Sequence, residues 1–287
     1  FLRRNDTYGA SYKFTLTNSE LKHLKSSRLE FGTRHEYNGK GFAVRKGFYS
    51  KMRLELLKNH AIKGNLAYLP SRWDDRNSRG NGTYKIMDRY KWGLSFQSNK
   101  SRKLSHELSA SYEEEPIEGN SRGFEYEINW QPIPNFSTEL RLGYKKRTGW
   151  LLHEAERNLT TFNASAWEPE LEVVYVPSPK QQFRVSAQWV GIKALENNRW
   201  KAPIIAGELI ADTDHELEKR DFSISKLIFQ ARYRWEIAPL SDLFVVYTRG
   251  SDLPSQPKTH FKDLLTDTWS RRKTDSLIVK LRYRLGN

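Results

Sequence analysis

Apolar side chains recur at every second position along most of this chain, with charged or small residues between them. The last strand-length stretch shows the pattern openly: Leu277, Val279, Leu281, Tyr283 and Leu285 are interleaved with Lys280, Arg282 and Arg284. A period of two puts the first set on one face of a β-strand and the cations on the other. Thirteen segments read this way. In chain order they run Tyr8 to Leu16, Leu29 to Tyr37, Phe42 to Leu56, Leu66 to Pro70, Tyr90 to Phe96, Leu104 to Tyr112 and Phe124 to Trp130. Phe136 to Tyr144 follows, then Leu171 to Tyr175 with an extension back toward Asn163, Phe183 to Trp189, Phe229 to Ile237, Leu243 to Tyr247, and Leu277 to Leu285. No segment carries a sustained apolar stripe at helical spacing.

Three cations facing an ordinary protein core would be costly. Facing water while the opposite face meets lipid, they are expected, and a membrane β-barrel strand reads this way. The connections sort in the same sense. Short ones hold proline or small polar residues, as in Gln131 to Asn135, Val176 to Lys180, Ala238 to Asp242 and Ser98 to Arg102. Long, charged ones alternate with them: Trp73 to Tyr84, Glu113 to Gly123, Lys146 to Phe162, Gly191 to Arg220 and Gly250 to Thr274. Short turns at one rim and long loops at the other are the asymmetry of an outer-membrane barrel. The expectation is an all-β fold: a transmembrane, antiparallel up-and-down β-barrel in the bacterial outer membrane, one domain over residues 1–287. Single-chain bacterial barrels have even strand counts. Thirteen visible strands therefore predict at least fourteen in the complete barrel, with strand and segment upstream of Phe1.

Composition permits this. A mean hydropathy of −0.77 with 29% charged residues is too polar for a bundle of membrane helices. The longest uncharged stretch, Ile128 to Thr138, is eleven residues with two prolines, against about 20 apolar residues for a spanning helix. A barrel escapes that test because only one face of each strand touches lipid. With no cysteine there are no disulfides, thiolate metal ligands or thiol nucleophiles.

The net charge of +14 raises a rival reading, a basic surface for polyanions. Its distribution counts against that. The inner positions hold twelve cations and ten anions, so most of the excess falls in loops and turns, where lipopolysaccharide is a candidate partner. The predicted lumen-facing cations are Arg141, Lys145, Arg184, Arg232, Arg234, Lys280, Arg282 and Arg284; the anions are Glu107, Glu125, Glu127, Glu139, Glu170 and Glu172. Neighbouring strands can pair them. Alternatively, acids on the sixth, seventh and ninth strands face bases on the eleventh and thirteenth as opposing walls. Trp92, Phe96, Trp130, Tyr175, Trp189, Tyr233, Trp235 and Tyr283 fall on the outer face, as lipid-facing or interface aromatics. Base stacking would want rings and cations on one face; here they are opposed, so nucleic acid is not an expected partner.

Catalytic signals are weak. The seven histidines are scattered without metal-ligand spacing. Asp212, Asp214 and Glu216 make a faint calcium candidate without the glycine of an EF-hand loop. His106 belongs to the outer row while Ser105 and Ser109 point inward, which leaves no serine–histidine pair. No enzyme activity, metal or cofactor is expected.

Two long phrases, Tyr175 to Ile192 and Phe229 to Tyr247, together with Phe261-Lys-Asp-Leu264 and the ending Lys280 to Leu285, resemble the outer-membrane β-barrel of the DUF5916 family. The resemblance runs from about Trp130 onward. It implies an N-terminal carbohydrate-binding-like domain in the whole protein and supplies no catalytic residues. Many outer-membrane barrels end in Phe or Trp, whereas this chain ends Leu285-Gly-Asn287; recognition by the barrel-assembly machinery would rest on Tyr283 and Leu285. The functional expectation is transport across, or anchoring at, the outer membrane, with a glycan-binding domain presented there. Two alternatives stand beside it: a non-conducting barrel that docks a partner subunit or holds a lumen plug, and a soluble basic β protein that binds polyanions.

Overall fold

The computed structural model describes residues 6–213, 219–255 and 260–285. In chain order its elements begin with β1 (Thr7–Leu21), β2 (Leu24–Asn38), β3 (Ala43–Leu56) and β4 (Ala61–Leu69). A separate small hairpin follows, made by β5 (Arg72–Asp74) and β6 (Tyr84–Ile86). Then come β7 (Arg89–Gln97), β8 (Leu104–Glu114), β9 (Asn120–Ile133), β10 (Phe136–Ala155), β11 (Asn158–Ser178) and β12 (Gln181–Lys201). The chain closes with β13 (Ile210–Ala211), β14 (Phe222–Ala238), β15 (Ser241–Ser255), a helix α1 (Phe261–Ser270) and β16 (Thr274–Arg282).

All but the hairpin strands lie in one antiparallel sheet of fourteen strands. Thirteen long strands form an uninterrupted meander, each paired with the next, and the two-residue β13 adds to β12. Each of the thirteen alternating rows corresponds to its own long strand, with Phe42, Pro70, Tyr283 and Leu285 falling just beyond the strand ends. No pairing joins β1 to β16 among the described residues.

The register explains why alternation in sequence becomes a continuous face. Leu140 stands between Ile128 of β9 and Leu171 of β11, and Leu171 in turn faces Ala187 of β12. Val173 likewise faces Thr138 and Val185. Apolar residues thus meet apolar residues across the ladder, while the charged set meets on the other side. The connections after β1, β3, β7, β9, β11 and β14 are at most six residues long and share a turn rim. The long connections, residues 70–88, 202–221 and 256–273, share the opposite loop rim.

Three expectations need correction. Lys146 to Phe162 is not a loop. Strands β10 and β11 run on for 20 and 21 residues, and only Glu156 and Arg157 separate them. Residues 191–201 and 250–255 similarly belong to β12 and β15. Alternation fades there because both faces become covered, so Trp150, Leu151 and Leu152 are apolar in succession. A bulge between Arg147 and Trp150 marks the change. At that level Gly119 and Gly149, both with φ of 78°, bring the β8–β9 turn against β10 so closely that a Cβ on either would strike the facing backbone.

Second, a helix is present. Phe261, Leu264, Leu265, Thr268 and Trp269 of α1 recur at helical spacing, but over ten residues and with a threonine in the stripe. Third, Phe42 and Val44 do not continue the outer row of β3. A register shift sets Ala43 against Tyr37, leaving Val44 buried and Phe42 against Trp73 of the hairpin.

Candidate functional site

One face of the sheet is apolar and uncovered over most of its extent. Tyr12, Phe14, Leu66, Leu94, Leu108, Phe124 and Leu281 all lie exposed on it, and Tyr12 reaches 73%. Ring pairs collect at two levels. Toward the turn rim, Trp130 meets Phe136 at 5.9 Å, Phe136 meets Tyr175 at 6.3 Å, and Phe183 stacks on Tyr233 at 4.4 Å. Toward the loop rim, Tyr8 stacks on Tyr37, Tyr68 on Tyr90 and Trp92 on Tyr112, while Tyr144 meets Trp167 at 4.9 Å. Between the levels the side chains are chiefly aliphatic: Leu94, Leu108, Ile128, Leu140, Leu171, Val173 and Val185. On β11 the levels are Trp167 and Tyr175. That separation is about 27 Å along a strand, or about 20 Å in height at a tilt of about 40°.

Two histidines on this face find polar partners within it. His106 Nδ1 lies 2.6 Å from the Tyr126 hydroxyl, and the Thr33 hydroxyl lies 2.9 Å from His35 Nε2. Trp92, Phe96, Trp130, Tyr175, Trp235 and Tyr283 are exposed, and Tyr233 is half-buried beneath Phe183. Trp189 departs from expectation. It is buried at 7% exposure because α1 covers it: Leu264 packs on Trp189 and Leu227, and the indole N–H donates to Ser225 Oγ at 2.8 Å. Trp269 of α1 packs against Phe229 and Arg249 at the same end.

The other face is ionic. Arg141 is its hub, within 3.0 Å of Glu127 and of Glu170, 3.4 Å of Glu139 and 3.9 Å of Glu125. Glu172 pairs with Arg184 at 2.7 Å, and Glu107 with Lys63 at 3.2 Å. The acids of β8, β9 and β11 are therefore paired with cations one or two strands away, not held apart as one wall. Arg234 and Arg282 converge on Asp242, which is 2% exposed. Asp242 was hidden in a turn phrase. Arg232 donates to Gln230, the Arg284 backbone N–H donates to Ser241 Oγ, Lys145 is half-buried and Lys280 is exposed.

At the loop rim, residues 70–88 reach over to strands far apart in the sheet. Arg72 donates to the Val44 carbonyl of β3 at 2.9 Å, Asn38 at the end of β2 donates to Asp75, and Arg76 pairs with Asp6 ahead of β1. Tyr84 and Ile86 pack with Leu151 of β10, Leu159 of β11 and Ala202 in a buried cluster. Lys85 donates to the Gly207 carbonyl, and Met87 to that of Pro116. Between β3 and β10 lie four strands, so the direct path along the sheet is about 24 Å. The hairpin thus joins β3 to β10 as a chord. Burial raises the Tyr84 hydroxyl and the Glu115 carboxyl above their ordinary ranges, and Arg147 beside Glu115 partly opposes the latter.

Asp212 pairs with Lys201 at 3.0 Å; Asp214 and Glu216 lie outside the described residues. The described residues contain no group of three potential ligands placed to hold a metal ion. No helix among them is long and apolar enough to cross a membrane, which has no bearing on crossing by strands.

Comparison with known proteins returns one family. The model of a domain of unknown function, DUF5916, matches residues 2–286. No curated protein matches the chain.

Proposed function

Because the chain belongs to the DUF5916 family, we propose that it forms the wall of a transmembrane β-barrel in the bacterial outer membrane, acting in transport across that membrane or in anchoring at it. The observation that carries this reading is the uncovered apolar face with aromatic rings at two levels. In water that face would be a hydrophobic patch far beyond what soluble proteins tolerate. In a bilayer it matches an apolar band about 25 Å tall flanked by aromatic girdles. The ionic face then lines the lumen. Membrane lipid and lipopolysaccharide are the partners of the outside, and the assembly machinery acts during insertion. A glycan-binding domain elsewhere in the whole protein would be presented at the surface.

A second reading is favoured by the chord of residues 70–88, which ties β3 to β10. On that reading the barrel is held closed and serves as a scaffold or a gated pore. The first test is extraction: the protein should resist high salt and dissolve in detergent, and release by salt alone would refute the membrane reading. Planar-bilayer conductance separates the other two. Excision of residues 72–86 with a short glycine–serine replacement should open a pore if the chord is a gate. Continued silence would favour a scaffold.

A further inference from the structure

Beneath the hairpin lies a cavity of about 960 Å³. Six arginines line it (Arg34, Arg45, Arg72, Arg76, Arg79 and Arg89), with Lys46, against one carboxylate, Asp74. Glu36, Asp6 and Glu113, which pair with Arg34, Arg45, Arg76 and Arg89, are not among the lining residues. Two buried polar atoms on the wall have no hydrogen-bond partner, Arg89 Nε and His153 Nδ1. The Arg89 side chain is 10% exposed, reaches Glu113 only at 3.8 Å and donates to the Glu114 carbonyl at 3.4 Å. His153 uses Nε2 on the Glu156 carbonyl at 2.7 Å. A buried guanidinium N–H without an acceptor is costly unless something fills the role.

We infer that this cavity binds a phosphate-bearing small molecule of sugar-phosphate size. Planar guanidinium forks match phosphate oxygens two at a time. The volume falls in the range of ligand pockets, about 300–1,000 Å³. Val44, Leu69, Ile86 and Leu152 supply apolar wall for the uncharged part of the ligand. At Tyr49 the cavity adjoins a second groove of about 740 Å³ lined by Arg28, Lys51, Arg53, Lys63 and Lys91 with Glu30. An anion entering at the rim would meet cations continuously down this side. The Tyr49 ring itself occupies the space a side chain at residue 32 would need, so Gly32 sets the width of the junction. This site stands whichever medium meets the apolar face.

The test uses the full chain in detergent micelles and isothermal titration calorimetry. The probes are inorganic phosphate, glucose 6-phosphate, uncharged glucose, and vesicles with and without lipid A. Arg45 and Arg79 are exposed, so the double variant Arg45→Gln/Arg79→Gln should keep the fold, checked by circular dichroism. Saturable heat with glucose 6-phosphate and none with glucose, weakened about tenfold or more in the double variant, supports the site and assigns it to a free ligand. Binding confined to lipid A vesicles and lost in the double variant supports it with a lipid headgroup as the source. The same affinity in wild type and double variant, or no saturable response to any phosphate, overturns it.

Discussion

A charge placed in the middle of the apolar band distinguishes hydrocarbon from water more sharply than any single contact. Leu171 sits four residues from Trp167 and four from Tyr175, opposite Leu140 and Ala187. That places it about 10 Å in height from either aromatic level at a tilt of about 40°. Arginine at such a midplane position destabilises a membrane barrel by about 2–4 kcal/mol, falling to about 0–1 kcal/mol near the interfaces. Leu171→Arg should therefore lower stability by about 2–4 kcal/mol, whereas Trp167→Arg and Tyr175→Arg should lose little beyond their ring contacts. The assay is reversible urea unfolding from phospholipid vesicles, followed by tryptophan emission and by heat-modifiable gel mobility. On a water-facing surface a substitution of this kind stays within about ±0.5 kcal/mol. Equal, small effects at all three positions would refute the reasoning; so would a larger effect at Trp167 or Tyr175 than at Leu171.

Other consequences are simpler. Arg141→Gln dissolves the hub of four carboxylates. With each partly exposed pair worth about 0.2–1 kcal/mol, the loss should be about 1–2 kcal/mol and shrink at high salt, as urea titrations at two ionic strengths will show. Leu264→Ala removes the buried anchor of α1 and should cost about 2–4 kcal/mol of local docking, seen as a red shift from Trp189 and faster proteolysis between β15 and β16. Glu115 has its folded-state pKa raised by burial, so its contribution is favourable below the unfolded carboxylate pKa and is lost as pH rises through the folded value. The β8–β9 turn should accordingly exchange amide hydrogens faster at alkaline than at mildly acidic pH, after correction for intrinsic rates, and Glu115→Gln should flatten that dependence.

The strands were legible because each has one apolar and one polar face, and a period of two survives in sequence only under that condition. Leu140, Arg141 and Leu142 show it: hydrophobic neighbour, ionic hub, hydrophobic neighbour. Where loops cover both faces, as around Trp150, Leu151 and Leu152, the period vanishes although the strand continues, so β10–β12 looked shorter than they are. Trp189 reads as an outer-row residue, but its cover, α1, comes from some seventy residues later in the chain. Asp242 sits in a proline-containing turn phrase that gives no hint of two guanidinium partners. The arginine cavity left no local trace, since Arg34, Arg89 and His153 come from three strands well separated in sequence.

The two edges of the sheet complete the physical picture. Thirteen strands in a meander leave β1 and β16 running the same way, each from the loop rim to the turn rim. They therefore cannot pair antiparallel with one another. Water would hydrate both edges at small cost. Hydrocarbon would not, because each unsatisfied backbone group there costs several kcal/mol, and β1 alone presents a 15-residue edge. If the apolar face meets lipid, the gap must be filled, either by direct parallel contact or by an odd number of strands that preserves antiparallel pairing. Any strand paired to β1 must put apolar side chains beside Tyr8, Ala10, Tyr12, Phe14 and Leu16 and polar ones beside Ser11 and Lys13, since a one-residue slip would turn the whole set to the wrong medium.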